Sequence, residues 1–215
     1  MADFAPQPGR LRQARVAQIL QAATEVFAAK GFDGTTMADI AQRAALPKAN
    51  IHYYFGTKEN IYRAVLDDIL ELWLGAADHW ISADRPPAEA LDGYIRAKIL
   101  LARDKPDASR IYATELISGA AHLQHYLNTA LRRRVHGLSA VIDGWIAAGR
   151  LRPVSAAHLL FCIWAMTQTY ADFSLQIGAV LDTTMPDDAV FETAATTVTS
   201  LILKSLIIDK AETAA

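Results

Sequence analysis

The stretch that decides the fold is residues 36–60, TMADIAQRAALPKANIHYYFGTKEN. Met37, Ile40 and Ala41 fall three and four apart, so they share one helical face. Thr36 precedes them and Asp39 follows three residues on, a capping box with Asp in the usual Glu/Gln position. Pro47 suits the first turn of a new helix, where its missing N–H costs nothing. That helix, Lys48–Phe55, turns Ile51 and Phe55 inward and leaves Lys48, Asn50, His52 and Tyr53 outward. Thr57 caps a further helix, with Lys58 and Glu59 in its first turn. Short helix, tight turn, short helix is a helix-turn-helix, whose second helix fits the major groove of DNA.

Residues 35–41, 44–55 and 58–59 resemble the DNA-binding head of the TetR family, with its spaced Thr, Asp/Glu-Ile-Ala, Tyr-x-(His/Tyr)-Phe and Lys-Glu. The resemblance covers about 50 residues and agrees at several spaced positions. Four positions depart from it: Ala45 for the turn glycine, Pro47 for the Ser cap, Ala49 for a common glycine, and His52 for the first Tyr. Ala45 implies a turn built without a left-handed residue. Lys48, Ala49 and Asn50 stand at the start of the second helix, where side chains reach base edges, and are the expected base-side contacts. Thr36, His52, Tyr53 and Lys58 are the expected phosphate contacts.

Outward from this stretch, residues 1–9, with Pro6, Pro8 and Gly9, read as disordered. Arg10, Arg12 and Arg15 are either a basic arm on phosphates or a solvated helix start. Helix 1 runs from about residue 11 to 30 on Val16, Ile19, Leu20, Ala23, Val26 and Phe27, and Gly31 ends it. Residues 1–60 hold seven Lys/Arg against five Asp/Glu, while the whole chain carries −2. That difference permits a DNA-binding N-terminus and decides little more.

With 215 residues, 52% of them hydrophobic, the chain can bury a sizeable core. A single cysteine, Cys162, excludes an internal disulfide framework and fits a reducing cytoplasm. No apolar run is long enough for a membrane span, and no signal core opens the chain. A cytoplasmic protein without membrane partners is expected.

Residues 57–82 read as one long helix leading from the head into a second module. Further helices follow over 88–103, 106–117, 122–148, 155–177 (with Ser155 as cap) and 189–208. Asp84-Arg85-Pro86-Pro87 and a loop at 182–188 punctuate them, and residues 209–215 read as loose. The expected architecture is all-α with about nine helices. A three-helix head over residues 1–56 is followed by an effector-binding and dimerisation domain over 57–215.

The last helix repeats Val190-Phe191, Ala194-Ala195, Val198, Leu201-Ile202 and Ser205-Leu206. This stripe is either an internal core or, as preferred, part of a four-helix contact with a second copy, centred on Val198, Leu201 and Ile202. A helix-turn-helix reader needs two heads for two half-sites, so a homodimer on a palindromic double-stranded operator is expected.

Enzyme chemistry is not marked. His122 and His125 share helical spacing, but two ligands make no metal site. There is no Gly-x-Ser-x-Gly, no reactive context around Cys162 and no phosphate loop, so no cofactor is expected. Arg132, Arg133 and Arg134 read as a solvated face. A small-molecule enzyme on an all-α shell and a ligand-free DNA-bound interaction module are the alternative classes.

The helix over 155–177 is richer. Trp164 and Gln168 are four apart and share a face with Ala171. A buried Gln168 needs a partner, which is either a backbone group or a flat ligand stacked on Trp164. Residues 94–98, 103–110, 144–149 and 163–173 resemble the pyrimidine-utilisation subgroup of TetR regulators, which respond to uracil or thymine. In that subgroup the Trp and Gln of this helix serve the pocket; they match Trp164 and Gln168. Lys98 is either a donor to the ring or an exposed lysine, and Trp73 either a pocket wall or core. The function so implied is a ligand-responsive regulator that acts as a repressor.

Overall fold

The computed structural model describes residues 8–183 and 186–208. The calls of disorder before residue 8 and of a loose tail from residue 209 lie outside them. The head is α1 (Pro8–Gly34), α2 (Met37–Arg43) and α3 (Lys48–Phe55). The long helix is α4 (Lys58–Trp80), followed by α5 (Pro87–Asp104) and α6 (Pro106–Ile117). A short α7 (Gln124–Tyr126) runs through a π turn (Leu127–Leu131) into α8 (Arg132–Ala147). The chain closes with α9 (Ala156–Asp172), α10 (Ser174–Val180) and α11 (Asp188–Leu206). Among the described residues the only β pairing is one isolated antiparallel bridge, Leu151 to Ile207.

Local chemistry sets the head as expected. Thr36 accepts from the Asp39 amide while the Asp39 carboxylate accepts from the Thr36 amide, a complete capping box. Thr57 accepts from the Asn60 amide at the start of α4. Gly31 breaks α1 at φ 70 and ψ 176, as its position implied. Ile19, Ala23, Phe27, Ile40 and Ile51 are all buried between the three helices. Their core is continuous with Ile61, Val65, Leu66 and Ile69 of α4 and with Ala108, Ile111 and Tyr112 of α6. The head therefore does not sit on a free tether; α4 and α6 are packed into it. A second core forms around α5, where Leu91, Tyr94 and Ile95 meet Ile142 and Trp145 of α8, Leu160 and Ile163 of α9, and Val198 and Ile202 of α11.

Several expectations need correction. The turn after α2 does use a left-handed residue: Ala45 has φ 52. The geometry of the turn demands it, because the Ala45 and Leu46 amides reach back to the Gln42 and Ala41 carbonyls. Pro47 stands at the cap before α3 rather than inside its first turn. Ser155 precedes α9 but makes no side-chain cap bond. The helix expected over 155–177 breaks at Phe173 into α9 and α10. The cause is distant in sequence: Arg110 of α6 donates to the Ala171 carbonyl and to Ser174 Oγ, and Ser109 donates to Asp172 at 2.6 Å. Val198 and Ile202 are 5% and 7% exposed, inside the protomer's own core, and only Leu201 of that trio faces outward, at 61%. A 3.5-residue stripe reports burial but not which body does the burying.

Ala45 is exposed, so its methyl packs against little while it strains the backbone. The left-handed conformation costs an L-residue about 1–2 kcal/mol, and glycine's extra unfolded freedom offsets about 0.5–1 kcal/mol. Ala45→Gly is therefore expected to stabilise the chain by about 0.5–1 kcal/mol in urea unfolding; a loss of stability would show that the methyl is packed.

Candidate DNA interface and effector cavity

Lys48, Ala49, His52 and Tyr53 are exposed on α3, and Asn50 is half-buried. Tyr53 is 81% exposed, with its ring edge-on to Tyr54. The far side of α3 is pinned by Ile51, which is fully buried. Gln18 of α1 donates to the Ala44 carbonyl, and Asn60 of α4 donates to the Phe55 carbonyl, so both ends of the motif are tied down. Within α3, His52 Nδ1 lies 3.0 Å from the Gly56 carbonyl and donates to it, which leaves Nε2 outward.

Two expected phosphate contacts carry structural duties. The Thr36 hydroxyl is engaged with Asp39. Lys30 and then Thr36 hold the Asp39 carboxyl well below its usual range, at about 2. Lys58 donates to the Phe32 carbonyl at 2.7 Å and sits 4.3 Å over the Phe32 ring. It retains two further N–H groups. Arg10 and Arg12 are exposed at the start of α1, continuous with the head.

The second site is a cavity between α4, α5, α6, α7, α8 and α9. Trp73 of α4, Lys98 of α5, and Trp164 and Gln168 of α9 all line it, so the structure brings the four expected effector residues together. Trp164 Nε1 donates to the Tyr94 hydroxyl at 2.8 Å, which fixes the indole and leaves the Tyr94 O–H free to donate. The Gln168 side chain is part-buried and makes no hydrogen bond to the protein among the described residues.

Lys98 is 4% exposed, not a surface lysine. Its ammonium lies 4.3 Å over the Trp73 ring, a cation–π contact. Burial pulls its pKa down to about 7, against the opposing field of Asp172. Asp172 is itself pushed up by burial, opposed by the Ser109 bond and by Lys98 and Arg110.

The sequence reading missed Tyr94, Tyr112, Tyr126 and Arg134, which complete the wall. Tyr94 lies one turn before Lys98, and Arg134 lies eight residues after Tyr126, spacings that place each pair on a common face. Tyr112 meets Trp73 edge-on at 4.8 Å. The Tyr126 hydroxyl is buried with no partner. Arg134 pairs with Asp78 of α4 at the rim of the cavity, so it is not part of a purely solvated face.

The polar lining is thus rich in donors: Lys98, three phenols and the Gln168 amide. Gln168 Oε1 is the one carbonyl acceptor on a lining side chain. Among the described residues no carboxylate lines the cavity. Its volume open to the centres of water molecules is about 50 Å³. That is room for about four waters, or roughly 120 Å³ of liquid, the scale of one six-membered ring with its substituents.

Among the described residues no cluster of three metal-ligating side chains includes His122 or His125. Among the same residues no helix is long and apolar enough to cross a membrane.

Comparison with known proteins matches both halves of the chain. The family model described as "Bacterial regulatory proteins, tetR family" matches residues 19–65, and that described as "YcdC-like protein, C-terminal region" matches residues 66–209. The chain is 39% identical over 197 residues to the HTH-type transcriptional regulator RutR of Escherichia coli (strain K12), across 92% of each protein. It is 25% identical over 164 residues to the HTH-type transcriptional regulator BetI of Paraburkholderia phymatum, across 66% of this chain and 84% of that one.

Among solved structures, the ketosteroid transcriptional regulator KstR2 of Mycobacterium tuberculosis aligns with a TM-score of 0.73 at 17% identity, over 91% of this chain and 96% of that one. AibR in complex with isovaleryl coenzyme A and operator DNA aligns with a TM-score of 0.69 at 20% identity, over 87% and 97%. At those identities the likeness is one of fold. The curated relatives are transcriptional regulators, not enzymes. The chain belongs to the TetR family of bacterial transcriptional regulators.

Proposed function

We propose that this regulator is a homodimeric repressor that grips a palindromic operator through two α3 helices and changes that grip when a flat imide ring such as uracil or thymine enters the cavity. The observation that carries this reading is the donor-rich lining of the cavity. An imide edge alternates acceptor, donor, acceptor. Lys98 and the phenols meet the two carbonyl oxygens, Gln168 Oε1 meets the N–H, and Trp164 and Trp73 cover the ring faces. The resemblance of residues 163–173 to pyrimidine-responsive regulators points the same way. We place the working division near residue 57, with the head before it and the effector and dimerisation domain after it.

The outward faces of α9 and α11 are the expected dimer contact. Phe161 is 48% exposed, with its ring beside those of His158 and Trp164, and Leu201 is 61% exposed. Phe161→Glu with Leu201→Glu replaces no fully buried side chain, unlike any change at Ile202. The double variant is expected to sediment as a folded monomer with operator affinity lowered at least tenfold. A dimer of unchanged affinity would refute this contact.

On DNA, Asn50→Ala is expected to relax discrimination at one operator position by about 1–3 kcal/mol. Arg12→Ala is expected to weaken all sequences alike and to lower the salt slope by about one. Selection of genomic fragments with the purified protein supplies the operator; enrichment of no palindromic site would contradict the reading.

For the cavity, Gln168→Leu keeps the bulk and removes the amide, so uracil and thymine should lose their effect while operator affinity stays within threefold. Calorimetry with either ring is the direct test, and an absence of heat at millimolar ring removes the pyrimidine assignment. The pH dependence follows from Lys98. A ring oxygen accepting from its ammonium favours the charged form, so binding takes up a proton wherever the free amine is neutral. Affinity should therefore be full below about pH 7 and decline as pH rises above it. A flat profile between pH 6 and 9 would place the ring away from Lys98.

A further inference from the structure

Among the described lysines only Lys98 is buried. It lines the cavity, and its ammonium lies 4.3 Å over the Trp73 ring. Among the described residues it makes no hydrogen bond and no salt bridge. Asp172 is the carboxylate whose field reaches it, but that carboxylate accepts from Ser109 at 2.6 Å and also feels Arg110. A buried ammonium that finds no acceptor is poorly kept as a cation. A solvated lysine is almost wholly ammonium at neutral pH and has no lone pair to react with. Lys98 differs, since burial pulls its pKa down to about 7. A large share of it is free amine at neutral pH, a desolvated nucleophile at the wall of a cavity.

The groups around that amine are donors short of acceptors. The Tyr94 hydroxyl accepts from Trp164 Nε1 and keeps its own proton to donate. The Tyr126 hydroxyl is buried with no partner. Tyr112 and the Gln168 amide share the wall, and Arg134 stands at the rim paired with Asp78. The volume of about 50 Å³ open to water centres has room for about four waters, and a small adduct of three heavy atoms fits within it. Amines take up two kinds of small electrophile reversibly. An aldehyde leaves an iminium, which adds a fixed cation to a lining that lacks acceptors. Carbon dioxide leaves a carbamate, which brings two acceptor oxygens and a negative charge. The lining suits the second and not the first.

We propose that Lys98 is a carbon dioxide site, whose amine forms a carbamate held by the phenols of the cavity. The amine lone pair attacks the carbon of carbon dioxide and forms a new N–C bond. One C–O π pair moves onto oxygen, and the nitrogen gives one proton to solvent. Amine and carbon dioxide become carbamate and a proton, with nothing oxidised or reduced. Tyr126 and Tyr94 donate to the carbamate oxygens, so the unpartnered hydroxyl gains an acceptor. The charged and titratable groups facing the site are Asp172 of α9, Arg134 of α8 and the three phenols. The reaction consumes free amine and releases a proton, so at a fixed pressure of carbon dioxide the occupancy rises with pH. A carbamate also removes the ammonium on which a ring oxygen would rest, so carbamate and ring exclude one another. The inference needs the cavity alone and not the pyrimidine reading.

The test is carbon-13 NMR of the full-length protein under labelled carbon dioxide, with any carbamate then alkylated by a trialkyloxonium salt and located by peptide mass spectrometry. A single carbamate resonance is expected, and the trapped group should map to the peptide carrying Lys98. The exposed Lys30, Lys48, Lys105 and Lys204 serve as internal controls in the same chain. Lys98→Met should lose the resonance. Tyr126→Phe should lower the occupancy of Lys98 at least threefold at the same pressure, and an undiminished occupancy overturns that hydroxyl's part. No trapped group at Lys98, or equal trapping at the exposed lysines, overturns the proposal. Uracil separates the two readings. Where calorimetry shows that it binds, saturating uracil should erase the resonance, and a resonance that survives overturns the placing of the carbamate in the cavity. If wild-type protein gives no heat with uracil, the pyrimidine reading fails alone, and the trapping still decides Lys98.

Discussion

Helix α4 belongs to two cores at once, and much of the structure follows from that. Its first half, from Ile61 to Leu70, is buried with α1 and α6 in the head-side core. Its last turns, Ala77 and the partly buried Trp80, belong to the core around α5. A rigid helix of 23 residues, roughly 35 Å long at 1.5 Å per residue, holds these two cores apart at a fixed distance. Between them, where Trp73 and Leu74 face inward, neither core supplies enough apolar side chains to close the gap. The cavity is the place where the two cores fail to meet, so its contents bear on the relation between them.

The groups lining that gap are poorly suited to an empty interior. An ammonium held at 4% exposure is costly, and the fall of the Lys98 pKa to about 7 is the mark of that cost. The phenols of Tyr94 and Tyr112 are pushed up by burial to about 12, and that of Tyr126 is pushed upward as well, so all three stay protonated as donors. A buried hydroxyl without a partner forfeits on the order of 1–3 kcal/mol, as Tyr126 does. Replacing these groups with leucine would make a better core and no binding site. Stability given up in this way is common where a site must accept a polar ligand.

What was legible in the sequence follows the range of the forces. Thr36 with Asp39 and Thr57 with Asn60 are contacts three residues apart, and the residue types alone disclose them. The outward set on α3 follows from burying Ile51. The meeting of Trp164 and Gln168 on one face is local too, whereas Trp73 and Lys98, each weighed against a bland alternative, come from other helices. Two of the misreadings concern forces from elsewhere in the chain. Nothing near Phe173 announces a break, because Arg110 and Ser109 reach it from α6. The apolar stripe of α11 is as regular on Val198 and Ile202 as on Leu201, and only the position of α5 decides which side is covered. The left-handed Ala45 was hidden because an unfavourable residue was read as evidence against the conformation. The backbone hydrogen bonds of the turn outweigh one methyl's strain.

On the reading proposed above, a small ring would act at a distance without large forces. A ligand shifts an equilibrium only by the difference in its affinity for the two states, typically about 1–3 kcal/mol. One satisfied phenol and one relieved ammonium are each worth roughly that much. The donors come from different elements: Lys98 from α5, Tyr126 from α7 and Gln168 from α9. A rigid ring can satisfy all three only when those helices stand at one set of separations. A ring bound as proposed would therefore distinguish arrangements of the helices rather than merely fill space, and α4 and α6 share one core with α1, α2 and α3 of the head.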